Sequence, residues 1–127
     1  MIYDFARTLV TESLCWLGEG RHDQALAACE RALELAAPRN YRLAHADALN
    51  LRARIALERP DSNPSAARDD AEAALALAEF CEYAWAQRDA LEVLARAHRA
   101  LGNESEALRC ADRAADWARR LTRTQAE

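Results

Sequence analysis

The 127-residue chain carries 17 basic and 21 acidic side chains, for a net charge of −4, and about half of its residues are apolar. That length suits one domain, residues 1–127, with a core of its own, and the acidic balance argues against a nucleic-acid partner. Three Gly and three Pro are too few for a turn-rich β fold. Ala alone supplies about a quarter of the chain, so the expected fold class is all-α.

In chain order, the pattern predicts six helices arranged as three hairpins. The first hairpin runs from about Tyr3 to Leu17, turns at Gly18-Glu19-Gly20, returns from about Asp23 to Ala36 and stops at Pro38. The second runs from about Tyr41 to Glu58 and returns from about Pro64 to Glu79. Its connection, Arg59-Pro60-Asp61-Ser62-Asn63-Pro64, has the composition of a loop. Asn63 is the expected N-cap, with Pro64 at the first helical position. The third runs from about Tyr83 to Leu101, turns at Gly102-Asn103, and returns from about Glu104 to Leu121, leaving 122–127 as a tail. Gly102 suits a left-handed helix stop, and Asn103 with Glu106 reads as a capping box. Between Ala78 and Tyr83 there is no Gly or Pro. By local propensity one helix could run through, yet a break is expected near Cys81.

The reason is a repeat. Shifting the chain by 42 residues brings Tyr41 onto Tyr83, Asp47-Ala48-Leu49 onto Asp89-Ala90-Leu91, and Ala25 and Ala32 onto Ala67 and Ala74. A shift of 40 carries Ala67 to Ala107, the two-residue difference falling in the insertion at 59–64. Ala25 and Ala32, Ala67 and Ala74, Ala107 and Ala114 are each seven apart, hence on one helix face where neighbours must approach closely. A lone hairpin of this size cannot bury its apolar face, which is why such units stack.

The segment Gly20-Arg21-His22-Asp23-Gln24-Ala25-Leu26, followed by Ala32-Leu33-Glu34-Leu35 and Pro38, resembles the second half of a tetratricopeptide repeat. Leu101-Gly102-Asn103-Glu104-Ser105-Glu106-Ala107-Leu108 resembles the same turn again. The resemblance spans about residues 5–121, with units longer than the family's usual roughly 34 residues. It implies a short right-handed solenoid of antiparallel hairpins, units about 3–38, 41–80 and 83–121. It also implies a concave groove lined by first helices that binds a protein or peptide. Longer units of this kind are similar to those in bacterial signalling proteins and NTPase regulators. A regulatory or sensor module of a larger NTPase, protease or transcription regulator, and a self-assembling structural repeat, are the alternatives.

Carried over from the family, the groove positions are Arg7 and Val10, then Asp47, Asn50 and Arg54, then Asp89, Glu92, Arg96 and Arg99. Asp47 and Asp89, and Arg54 and Arg96, are equivalent at the 42-residue shift, and each Asp precedes its Arg by seven residues on one face. Such a stripe suits an extended peptide, through forked Arg bonds to carboxylates and Asp bonds to basic groups. The competing reading is that these charges pair among themselves. Trp16 and Trp85 are expected in helix packing. Trp117, in a last helix with nothing after it, is expected to leave an apolar strip with Leu108, Ala111, Ala115 and Ala118, a contact site for another subunit or domain.

Cys15, Cys29, Cys81 and Cys110 form no CxxC pair and have no zinc-spaced His beside them. They read as buried free thiols in a reducing compartment, hence a cytoplasmic protein. His22, His45 and His98 belong to no local catalytic pattern, and no phosphate loop, HExxH or GxSxG occurs. The expectation is a binding protein, not an enzyme, with no cofactor or metal. No apolar run approaches the roughly 20 residues of a membrane span.

Overall fold

A computed structural model describes residues 1–126, and among them all regular structure is helical. The helices are α1 (Ile2–Gly18), α2 (His22–Ala36), α3 (Arg42–Glu58), α4 (Pro64–Phe80), α5 (Ala84–Ala100) and α6 (Glu104–Ala126). These bounds agree with the hairpin pattern at nearly every end. α6 is the exception, because Leu121-Thr122-Arg123-Thr124 contains no breaker and the helix runs on through the expected tail. Glu127 lies outside the described residues.

The turns follow from local chemistry. Gly20 and Gly102 adopt φ of +75° and +83°, the left-handed region that closes α1 and α5. Asn63 caps α4, its side-chain oxygen accepting from Ala66 N at 3.1 Å, with Pro64 at the first turn. The expected capping box at α6 does not form. Asn103 Nδ2 instead lies 3.3 Å from His98 Nδ1, and the Glu106 carboxylate takes Arg109.

The break near Cys81 is present. α4 ends at Phe80 and α5 starts at Ala84, through Glu82 at φ +55°. The equivalent residue 42 positions earlier, Asn40, has φ +57°. The backbone thus makes the same stop twice with different side chains, and in both the following Tyr donates its N–H to a carbonyl of the preceding helix: Tyr41 to Ala36 and Tyr83 to Ala78.

Each helix packs on its neighbours in sequence, and α3 additionally touches α1 and α5. α2, α4 and α6 make no close backbone approach to one another among the described residues, although an ion pair from Arg113 to Glu79 at 3.8 Å links α6 to α4. Alanines make this possible: Ala25, Ala32, Ala67, Ala74 and Ala107 are 0% exposed and Ala114 4%. The larger core residues fill the space between, Ile55 and Leu91 being the largest fully buried side chains. Each contributes about 1.5–3 kcal/mol by leaving water. Buried polar bonds tie helices within and between hairpins: Ser13 Oγ donates to Ala25 O at 2.6 Å inside the first, and Cys29 Sγ to Ala48 O at 3.0 Å across to the second.

All four cysteines are free. Cys29 and Cys110 are buried and Cys81 half-buried, but Cys15 is exposed, because it shares a helix face of α1 with the exposed Thr8 and Thr11. Of the tryptophans, Trp16 packs against the α1–α3 core cluster as expected. Trp85 is 39% exposed at the start of α5 with Arg88 stacked 4.9 Å over its ring. No described helix is long and apolar enough to cross a membrane.

Candidate functional site

α1, α3 and α5 border a groove of about 550 Å³. Its apolar lining is Val10 and Leu14 from α1, Leu51 from α3 and Val93 from α5. Its polar lining is Asp47, Asn50 and Arg54 from α3 with Arg88, Asp89, Glu92 and Arg96 from α5. The seven-residue spacing explains the match between the two helices: Asp47 and Arg54 sit two turns apart on α3, and Asp89 and Arg96 do the same on α5.

The groove therefore gathers Asp47, Asn50, Arg54, Asp89, Glu92, Arg96 and Val10, with Arg7 joined through an ion pair to Asp47 at 3.6 Å. Arg99 lies outside it, exposed in the last turn of α5, where its charge favours the helix C-terminus. Trp117 is at the other end of the molecule. It is not uncovered as expected: it is half-buried against the core cluster that α3, α4, α5 and α6 share, because it lies on a helix face with Ala107, Cys110 and Ala114. Arg120 stacks 4.8 Å over its ring. Sequence reasoning missed Leu14, Leu51, Arg88 and Val93. The one available signal was the adjacency of Arg88 and Val93 to Asp89 and Glu92.

The groove charges are paired with one another. Arg54 Nε reaches Glu58 at 3.2 Å, and Arg96 reaches the same carboxylate at 3.6 Å, so Glu58 collects the two equivalent arginines of α3 and α5. Arg88 binds Asp89 at 2.7 Å and Glu92 at 3.9 Å. Asp47 accepts from Tyr83 Oη at 2.9 Å. Burial pushes the Asp47 carboxyl above its ordinary value, against the Tyr83 bond and the Arg7 charge, which pull it down. The Tyr83 hydroxyl is pushed up to about 12 by burial and then by the Asp47 charge. Partly exposed pairs of this kind contribute roughly 0–1 kcal/mol each, so a charged ligand can exchange partners with them at little cost.

Asn50 stands apart from this network. It is 4% exposed, its Nδ2 donates to Ala86 O at 3.1 Å, and its Oδ1 is buried without any hydrogen-bond partner. A buried acceptor left without a donor costs about 1–3 kcal/mol.

A second hollow, about 440 Å³, lies beside the 59–64 insertion. Its arginines are consumed internally: Arg52 forks onto both oxygens of Asp70 at 2.8 and 2.9 Å, and Arg59 binds Asp61 at 2.7 Å. Elsewhere His98, Glu106 and Cys110 bring potential metal-ligand atoms within 4.8 Å of one another. The nitrogen, oxygen and sulfur set is of a type zinc accepts. Here, however, Arg109 occupies Glu106, and burial, then the Glu106 charge, raises the Cys110 thiol away from the thiolate a metal requires.

Comparisons of the chain with protein-family models, with curated proteins and with solved structures return no match.

Proposed function

We propose that the chain is a protein-interaction module, a short right-handed solenoid of three tetratricopeptide-like hairpins that holds an extended peptide in the groove between α1, α3 and α5. Two observations support the repeat reading: the left-handed stops at Asn40 and Glu82, 42 residues apart, and the contacts of α3 with both α1 and α5. The observation that carries the binding reading is Asn50. Its unpartnered Oδ1 belongs to a residue lining the groove; the atom itself is buried, and a rotation of the side chain toward the groove would let it accept a main-chain N–H from an occupant. Arg54 and Arg96 would turn from Glu58 to an acidic group of the peptide, and Asp89 and Glu92 would take a basic one. Leu14, Leu51 and Val93 would receive an apolar side chain between them.

The test is a screen of the purified chain against a random peptide library, followed by calorimetry with the strongest peptide. Arg54→Ala combined with Arg96→Ala should weaken binding at least about tenfold while leaving the melting curve in place. Unchanged affinity in that variant would remove the groove assignment.

A further inference from the structure

Equivalent positions on the second helix of each hairpin differ in what covers them. α2 presents Cys29, Leu33 and Ala36; α4 presents Ala71, Leu75 and Ala78; α6 presents Ala111, Ala115 and Ala118, at successive shifts of 42 and 40 residues. Cys29 is sealed by Ala48, Leu51 and Ile55 of α3, and Ala36 by Ala44. Ala71 clusters with Leu91 and Leu94 of α5, and Ala78 with Ala86. Cys29, Ala36, Ala71 and Ala78 are all 0% exposed. α6 has close backbone contact with α5 alone, and reaches α4 only through the ion pair of Arg113 with Glu79 at 3.8 Å and the shared core cluster. On it Ala115 is exposed, Ala111 and Ala118 are half-buried, and Leu108 is 58% exposed.

Leu108, Ala111, Ala115, Ala118 and Thr122 advance in alternating steps of three and four, the spacing of a helix–helix seam. Trp117 is not part of it, since it faces the core. The small alanines admit a second helix at close range. Asp112 and Arg119 flank the seam on its solvent side. Asp112 makes no ion pair among the described residues, and Arg119 makes only an exposed one, to Asp116 at 3.6 Å.

We propose that this seam is the interface of a two-fold dimer, formed with a second copy of the chain through antiparallel α6 helices centred on Ala115. In that register Ala115 meets the partner's Ala115, Ala111 and the partner's Ala118 interleave one residue off level, and Asp112, also one residue off level, reaches the partner's Arg119 twice over, once on each side of the axis. The surface is self-complementary, as a two-fold interface requires. Head-to-tail stacking on α1 fits poorly, because the outer edge of α1 presents exposed Asp4, Thr8, Thr11 and Glu12. Covering α6 with that edge would desolvate two carboxylates. The dimer is independent of the groove reading, since α6 does not line the groove.

The test is sedimentation or light scattering of the full chain over a range of concentrations. The expected species is a reversible dimer, twice the 14.2 kDa of one chain. Ala115→Arg should raise the dimer dissociation constant roughly 30-fold or more. Because Ala115 is exposed, that variant should keep wild-type helicity by circular dichroism. Asp112→Arg should weaken the dimer about tenfold, and adding Arg119→Asp should restore it. A wild-type monomer at high concentration, an open series of larger oligomers, a dimer indifferent to Ala115→Arg, or a charge swap that fails to restore would each overturn the proposal.

Discussion

Tyr83 Oη donates a 2.9 Å hydrogen bond to Asp47 Oδ2, joining the residue that opens α5 to the middle of the first half of α3. Both partners are half-buried, and burial is the main reason that each proton is held more tightly than usual. An acid whose folded pKa is raised binds more protons folded than unfolded. Stability from Asp47 is therefore fully present below the ordinary carboxyl value of 3.8 and is lost as pH rises through the higher folded value. Asp47→Asn keeps an acceptor for Tyr83 but removes the charge, and should abolish this acid-side gain in denaturation curves between pH 3 and 7. Tyr83→Phe removes a bond that pulls the carboxyl down, so it should enlarge the acid-side gain and cost about 1 kcal/mol at neutral pH. A Tyr83→Phe protein as stable as wild type at pH 7 would mean the bond is not formed in solution.

The cysteines should separate sharply in reactivity. Cys29 is 0% exposed, donates to Ala48 O, and is raised from 9.0 to about 12, mainly by burial. Cys15 is exposed. Alkylation of the native protein at pH 8, read by peptide mass spectrometry, should modify Cys15 first and Cys29 only after unfolding. The raised pKa of Cys29 also sets a direction above neutrality: stability from Cys29 should decline as pH rises from about 9 toward 12. Labelling of Cys29 as fast as Cys15 would contradict the packing of α2 on α3.

Glu82 holds a left-handed φ of +55° with a side chain that disfavours it. A non-glycine residue there carries roughly 1–2 kcal/mol of strain. Glu82→Gly should therefore stabilise the fold by about 0.5–1 kcal/mol after its larger loss of chain entropy. Asn40→Gly should gain less, because Asn tolerates this region. Paired thermal melts decide it: a destabilised Glu82→Gly protein would mean that α4 and α5 do not break at this residue.

Most of the helix plan was legible in the sequence because breakers and periodicity pointed the same way, as at Gly102 and Pro64. The stop at Glu82 was legible only through the repeat. Local propensity ran against it, and what enforces it is tertiary, the docking of Ala78 against Ala46 and Ala86. The groove residues of α3 and α5 were found because a seven-residue spacing fixes a helix face. Leu14, Leu51 and Glu58 were not, since which apolar side chains face the groove depends on how three helices meet. The expected exposure of Trp117 failed for a similar reason. One helical position separates the seam at Ala118 from the core face at Trp117, and composition does not distinguish them.

Asn50 offers a prediction in which stability and function move in opposite directions. Its Nδ2 bond to Ala86 O is redundant for that carbonyl, which also sits inside α5 as a helical acceptor. Its Oδ1 has no donor. Replacing both polar groups at once, as in Asn50→Leu, removes a buried unpaired acceptor whose cost is about 1–3 kcal/mol and loses one neutral bond of about 1 kcal/mol. The adjoining groove gives the larger side chain room. Chemical denaturation should show Asn50→Leu equal to wild type or more stable by up to about 2 kcal/mol. Calorimetry with a peptide selected on the wild-type chain should show binding weakened at least tenfold, since a donor from the peptide backbone would meet carbon in place of oxygen. A destabilised variant with intact peptide affinity would mean that Oδ1 is satisfied within the fold and serves packing alone. Stability held or gained together with lost affinity is the pattern of a residue kept polar for what it binds.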